Sequence, residues 1–401
     1  MLKKISTKQL APGMYIADSG IPWIDNPYLY SAECEATPAL IAQILSDGYR
    51  EVFIDPARSR AESLTQDPGN VAQEFGEALA EAPEAEYSAA DIPITAEMES
   101  AKSTYVRALD QVKLYMDGIR KGDNIDLLKA SPVVDEMLKS LGRNPDALLG
   151  LCKLRTQDDY TYGHCVNVAV LSVMFAKHMG FPHEIQFASG MAGIFHDLGK
   201  ALVPLEILNA PRNLSEEEFV ILRKHPRLGY EQVKKTPGFN QDILMGIYDH
   251  HERFNGTGYP RGISGEAISV TGRILALADV YDALSSSRPY KEAILPHRVL
   301  GIMYQMRGED FFPGYMEHFI RMLGIYPVGS VVELEDGRVG VVSSSNNATP
   351  TRPKVLIVRT RDGKPLLPQE KDISTGECPP IQRCLTAEES SVDPAKALNV
   401  Y

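Results

Sequence analysis

The sequence predicts a mainly α protein: a helical bundle, preceded by a small α/β unit and followed by a short β-rich segment. Three observations carry this. From about residue 97 to 325 apolar residues recur at helical spacing, punctuated by helix-start signals. Residues 1–60 combine turn signals and short strand-like runs with one helical pattern. Residues 328–360 drop the helical period for short β patterns around Asp336-Gly337, a hairpin dipeptide.

In the first unit, Pro12-Gly13 is a turn and Met14-Tyr15-Ile16 is strand-like. Thr37-Pro38 reads as an N-cap followed by Pro at the first helical position, and Gly48 as the stop. The helix between carries Leu40, Ile41, Ile44 and Leu45. Glu51-Val52-Phe53-Ile54 follows as a strand. Trp23, Tyr28 and Tyr30 fit core or interface packing better than a ligand groove. Residues 61–96, rich in Ala, Glu and Pro, are expected to form a solvated linker. Residues 61–100 hold ten acids and no Lys or Arg, which accounts for most of the net charge of −12. The acidity therefore belongs to one segment, and it argues against duplex nucleic acid as a partner.

Next, Tyr105, Leu109, Val112, Met116 and Ile119 step by heptad spacing. Such a stripe must be buried, on its own domain or on a second chain. The second option predicts a homodimer through the helix around 105–119. Ser131-Pro132 and Asn144-Pro145 each mark a helix start. Further helices are expected near 163–180, 185–200, 215–236, 240–251, 270–286, 296–307 and 314–324, with Ser215 and Glu218 as a capping box. The long irregular stretch is Phe254 to Ala267, rich in glycine. The last twenty or so residues read as a tail. The chain is thus divided into 1–60, 61–96, 97–325 and 326–401.

No run approaches eighteen consecutive apolar residues, so no membrane span is expected. The start, Met1 to Ser6, lacks the apolar region of a signal peptide. The five cysteines are widely spaced and odd in number, which points to a reducing cytoplasm.

Chemistry concentrates in one series: His164, His196-Asp197, His225, His250-His251 and Asp279. Neutral imidazole and ionised carboxylate are the ligands that Fe, Mn and Zn take from proteins. Several buried imidazoles in one layer would be costly without a metal or dedicated hydrogen-bond partners. Asp197, adjacent to His196, is placed to bridge two metals. Two such ions would hold a hydroxide between them, lower its pKa and clamp a phosphate oxygen, which suits in-line attack on a phosphodiester. Lys200, Arg288 and Lys291 lie near the ligand motifs and would offset negative charge on substrate and transition state. Asp282, three residues after Asp279 on the same helical face, is assigned to the substrate side, to position a ligand or a proton.

These residues resemble an HD-GYP domain, the metal-dependent phosphodiesterase class that hydrolyses cyclic di-GMP. The likeness runs from about residue 150 to 325. It includes His196-Asp197-Leu198-Gly199-Lys200, His225-Pro226-Arg227-Leu228-Gly229, His250-His251-Glu252, Gly256-Thr257-Gly258-Tyr259-Pro260, and Ala278-Asp279 through Arg288-Pro289-Tyr290-Lys291. Ile5 to about Asp55 resembles a small domain of uncharacterised role often found ahead of HD-GYP domains. The resemblance implies an HD-type helical bundle. It implies that His164, His196, Asp197, His225, His250, His251 and Asp279 bind two divalent metals, iron or manganese, with Asp197 bridging. It also implies that Lys200, Arg288, Lys291 and the Gly258-Tyr259-Pro260 loop face the substrate, the glycines permitting positive φ and close backbone approach to a ligand. Some members carry a Glu four residues before the first ligand His, which supports a third metal. Tyr160 stands there in this chain, so a dinuclear site is expected.

The implied activity is hydrolysis of cyclic di-GMP to pGpG, or onward to GMP. One rival is hydrolysis of another cyclic dinucleotide, such as cyclic GMP-AMP. Another is a binding effector with little turnover, although a pure sensor has no need of the full ligand set.

Overall fold

The computed structural model describes residues 3–17, 29–30, 34–46, 49, 51–59, 92–123, 126–152, 160–208, 210, 214–286, 294–346 and 349–398. Most of the acidic linker, Trp23, Tyr28, Asp158, Asp159, Arg288 and Lys291 lie outside the described residues.

The N-terminal unit contains β1 (Lys3–Ser6), β2 (Tyr15–Ile16), β3 (Leu29–Tyr30), β4 (Cys34–Glu35), α1 (Pro38–Ser46) and β5 (Glu51–Ile54). The strands run in the order β1-β5-β2-β4, and β3 pairs with β5 in parallel. The Leu40 amide donates to Thr37 Oγ1, so the expected cap is present. Ile16, Ile41, Ile44, Val52 and Ile54 fill the space between sheet and helix.

The helical body follows as α2 (Ile94–Lys121), α3 (Ser131–Arg143), α4 (Pro145–Leu151), α5 (Tyr160–His178) and α6 (His183–Phe195). It continues through α7 (Leu205–Leu208), α8 (Glu216–Leu222), α9 (His225–Val233), α10 (Gln241–Asp249), α11 (Val270–Ser285), α12 (Pro296–Gln305) and α13 (Tyr315–Leu323). The centre is α5, whose residues Val166 to Phe175 are buried on every side. A helix apolar all round belongs inside a bundle. It is clasped by α6 and α11, and α10 packs on both of these. Close approach is obligatory where α5 meets α6: a Cβ on Gly193 would lie 2.5 Å from the Ala169 Cα. Helix α1 packs on α11 and α12, which ties the N-terminal unit to the bundle.

Three expectations are corrected here. The helix expected over 215–236 is two helices, since Pro226 has no amide to donate and its ring disfavours helical continuation from before it. The heptad stripe on α2 serves the chain's own core: Tyr105, Val112, Met116 and Ile119 are buried and Leu109 is half-buried against it. That burial leaves the stripe unavailable as a homodimer seam. The expected tail is also packed structure. Its strand β10 (Ile381–Leu385) joins an antiparallel sheet with β6 (Val331–Leu334), β7 (Val339–Ser344), β8 (Lys354–Arg359) and β9 (Pro365–Asp372), in the order β10-β6-β7-β8-β9. Leu385, Val392 and Leu398 are buried, because a segment carrying such apolar side chains gains by covering the core. The Asp336-Gly337 turn closes β6 onto β7, with Gly337 at φ 83°. Ser344 Oγ on this sheet donates to the buried Asp146 Oδ2 on α4 at 2.6 Å, and burial pushes that carboxyl up to about 6.

Candidate metal centre

The seven residues converge from separate elements. His164 comes from α5, His196 and Asp197 from the end of α6, and His225 is the first residue of α9. His250 and His251 follow α10 directly, and Asp279 comes from α11. Two trios form, His164–His196–Asp279 and His225–His250–His251, with the three ligand atoms of each within 4.8 Å of one another. Asp197 lies between them. Its Oδ2 is 3.5 Å from His196 Nε2 and 3.8 Å from His164 Nε2, and its Oδ1 is 3.3 Å from His225 Nε2.

The hydrogen-bond network assigns the imidazole tautomers. Nδ1 of His196, His225 and His250 donates to the carbonyls of Gly193, Leu222 and Ile247 at 2.8, 2.8 and 2.7 Å. His164 Nδ1 lies 2.7 Å from Asp282 Oδ2 and donates to it. On His196, His225 and His250 this leaves Nε2 as a lone pair, and His164 Nε2 lies 3.0 Å from Asp279 Oδ1. Yet His164 and His196 bring these atoms to 3.4 Å of each other, and His225 and His250 to 3.3 Å. Asp197 Oδ1 is buried with no hydrogen-bond donor. Converging lone pairs around an orphaned carboxylate oxygen are repulsive until a cation lies among them, so the donor set fits a divalent metal.

Burial reinforces this. It holds His225 and His250 well below the usual imidazole range and pushes His251 down to about 4, so these rings stay neutral at pH 7. Burial pushes the Asp197 carboxyl up, but Lys200 and the surrounding histidines outweigh it and hold the group well below the carboxylate range. Burial raises the Cys165 thiol, so Cys165, beside His196 and Asp197, stays protonated.

Two glycines hold the halves together. A Cβ on Gly199 would lie 2.0 Å from the His225 carbonyl oxygen and 2.5 Å from the Gly229 amide nitrogen. The glycine of the HDLGK run thus meets that of the HPRLG run, and this contact sets His225 beside Asp197.

The remaining expected residues divide. Lys200 Nζ lies 2.6 Å from Asp197 Oδ2, a charge-assisted bond at the centre itself. Tyr259 stacks on His251, with ring centroids 4.6 Å apart, and the Tyr259–Pro260 bond is cis. Gly258 has a further requirement of its own, since a Cβ there would meet the backbone of residues 251–253 at 2.4–2.6 Å. Positive φ occurs in this stretch at Gly256, 81°. Asp282 is corrected. It is buried behind His164, accepts from Asn167 Nδ2 at 2.9 Å, and orients that imidazole instead of facing substrate.

Sequence reasoning missed four contributors. Glu252 accepts from the amides of Arg261 and Ile263, and Asp249 accepts from the Ser269 amide, so the acids flanking the histidine pair pin the 254–269 loop. Asn167 supports Asp282. The Arg223 guanidinium lies 5.6 Å from the Tyr259 ring centroid and offers an exposed cation beside the centre. Only Glu252, within the HHE run, carried a signal in the sequence.

The chain matches the HD domain family over residues 144–313, a domain of unknown function over 2–130, and a KOW domain associated with HD domain over 331–391. It is 33% identical over 374 residues to a cyclic di-GMP phosphodiesterase of Pseudomonas aeruginosa, covering 92% of this chain and 88% of that protein. A cyclic di-GMP phosphodiesterase response regulator of Xanthomonas campestris pv. campestris is 40% identical over 151 residues, 37% of this chain and 39% of that protein. A 3'3'-cGAMP-specific phosphodiesterase of Vibrio cholerae is 36% identical over 148 residues, 37% of this chain and 34% of that protein. Among the described residues no helix is long and apolar enough to cross a membrane.

Proposed function

The chain belongs to the HD-GYP branch of the HD domain family, as a metal-dependent cyclic-dinucleotide phosphodiesterase, and from that premise we propose its substrate, ions and residue roles. The substrate is cyclic di-GMP, opened to linear pGpG. The carrying observation is the pair of trios, His164–His196–Asp279 and His225–His250–His251, with Asp197 between them and the Nδ1 hydrogen bonds of His196, His225 and His250 leaving Nε2 of each as a lone pair. This arrangement supports two divalent ions, iron or manganese, which the two trios and Asp197 would hold.

When bound, such ions supply Lewis acidity at the phosphodiester and lower the pKa of the attacking water. The chain's own residues do the rest. His164, His196 and Asp279 hold one side, and His225, His250 and His251 hold the other. The Lys200 ammonium, fixed on Asp197, places positive charge where the phosphorane charge grows. Tyr259 and Arg223 form the rim beside His251 and give a stacking face with a cation over it. Arg288 and Lys291 keep the substrate-side role that their motif implies.

The test is direct. Anaerobically purified protein is analysed for bound metal and incubated with cyclic di-GMP, cyclic GMP-AMP and cyclic di-AMP, and the products are separated by chromatography. Cyclic di-GMP should be consumed fastest and yield pGpG. Preferential loss of cyclic GMP-AMP would transfer the assignment to that substrate, and binding without turnover by metal-loaded protein would make the chain an effector.

A further inference from the structure

Asp282 is the third member of a buried chain of hydrogen bonds that starts outside the metal centre. Tyr105 Oη on α2 donates to Asn167 Oδ1 at 2.6 Å. Asn167 Nδ2 donates to Asp282 Oδ1 at 2.9 Å and to the Cys152 carbonyl at 3.1 Å. Asp282 Oδ2 then takes the His164 Nδ1 proton at 2.7 Å. Asn167 is completely buried, and these three bonds fix which end of its amide is which: its oxygen must face Tyr105 and its nitrogen must face Asp282. With Nδ2 turned to it, Asp282 Oδ1 is supplied with a donor, and Oδ2 is left to the imidazole.

We propose that Tyr105 and Asn167 are positioning residues: the Tyr105–Asn167–Asp282–His164 chain sets the orientation and basicity of His164 Nε2, and so the affinity of the His164–His196–Asp279 trio for its ion, from helix α2. The proposal rests on the two-ion reading above. It follows from the geometry that α2, which lies between the N-terminal unit and the catalytic helices, reaches His164 through this chain of hydrogen bonds. In the second trio, His225 and His250 take their tautomers from local carbonyls, those of Leu222 and Ile247. A carboxylate behind a metal-bound imidazole raises ligand basicity, and losing such support commonly weakens metal binding about 10–100-fold. Asn167 shares Asp282 Oδ1 with Ser286 Oγ, which donates at 3.3 Å, so removing Asn167 acts one bond further back and belongs at the lower end of that range.

The experiment is Mn2+ titration of metal-stripped full-length protein, with the number of ions and each affinity read separately. Asn167→Leu should weaken one of the two ions about 10-fold and leave the other at its wild-type affinity. Tyr105→Phe, which keeps the ring and removes one hydroxyl, should weaken the same ion by a smaller factor, and it decides the matter if Asn167→Leu does not fold. Val112→Ala, a buried change on α2 with no hydrogen bond in the chain, should lower the melting temperature and leave both affinities alone. Anomalous diffraction at the manganese edge should place the weakened ion at His164. Equal weakening of both ions in proportion to lost stability, or unchanged affinities in both variants, overturns the proposal. A wild-type protein that binds a single Mn2+ sinks the two-ion reading instead. The chain of bonds then stands or falls on whether Asn167→Leu loosens that ion.

Discussion

Gly199→Ala tests how the centre is assembled, because it adds one methyl group at the contact between its halves. That Cβ would stand 2.0 Å from the His225 carbonyl oxygen where an ordinary contact begins at 3.4 Å, so the two backbones must part by about 1.4 Å. The residue pushed away, His225, is itself one of the proposed ligands, with Nε2 only 3.3 Å from Asp197 Oδ1. A misplacement on the order of 1 Å at a reacting centre costs about 100-fold in rate, and overpacking of this kind costs roughly 1–3 kcal/mol in stability. Turnover of cyclic di-GMP should therefore fall by about 100-fold or more, with partial loss of bound manganese and a lower denaturant midpoint. Gly229→Ala provides the graded comparison. Its Cβ would meet the Gly199 nitrogen at 3.2 Å and Ile247 Cγ2 at 3.3 Å, a strain that a shift of a few tenths of an ångström relieves. Its loss of turnover should be clearly smaller. Steady-state hydrolysis followed by chromatography, elemental analysis after desalting and urea melts provide the readouts. A Gly199→Ala protein with wild-type turnover and metal content would refute the reasoning, and so would a reversed order of the two variants.

Asp197→Ala removes the carboxylate between the trios, and bound metal and turnover should disappear together; retention of full metal content would remove Asp197 from the ligand set. Lys200→Ala should lower turnover by roughly 2–4 kcal/mol of transition-state stabilisation with metal content near wild type; unchanged kinetics at saturating metal would return Lys200 to a purely structural pairing with Asp197. His178, buried against His318 on α13, has its imidazole pushed down to about 4 by burial, with His318 and Arg321 adding. The unfolded chain therefore takes up that proton first, so stability is intact above about pH 6.5 and is lost as pH falls toward 4, by about 3 kcal/mol at most from this group. His178→Leu should flatten that acid limb in urea melts run from pH 7.5 to 4, and parallel curves for the two proteins would refute the assignment.

The bundle was legible because its signals are local. Ser215 with Glu218, Asn144 with Pro145, and Thr37 with Pro38 all cap helices where their chemistry says they should. The misreadings arose where a tertiary contact decides. A heptad stripe says that a helix face is buried, but not against what, and here α4 and α5 cover it. The last twenty or so residues read as a tail, yet strand pairing of β10 with β6 and a few apolar side chains fold them back. The family matches say as much in another way, since residues 331–391 form a recognised module.

The proposed ligand set divides along the same line, and its division explains which roles could be read in advance. His196 and His250 stand directly after α6 and α10, and His225 stands three residues after the end of α8. Helix ends leave carbonyls without intrahelical donors. Each of these three imidazoles turns Nδ1–H back to the carbonyl three residues earlier, satisfies it, and so presents a bare Nε2. One local rule thus sets both the tautomer and the aim of three ligands, and it operates within a few residues of sequence. His164 lies inside α5, where the helix uses its own carbonyls, so its Nδ1 proton needs an acceptor from elsewhere. That acceptor is Asp282, 118 residues away, held in turn by Asn167. Spacing alone placed Asp282 on the face of Asp279 and assigned it to substrate. Only the packing of α11 on α5 turns that carboxylate toward the back of the imidazole. The ligand whose support comes from afar is accordingly the one whose environment distant parts of the chain are positioned to alter.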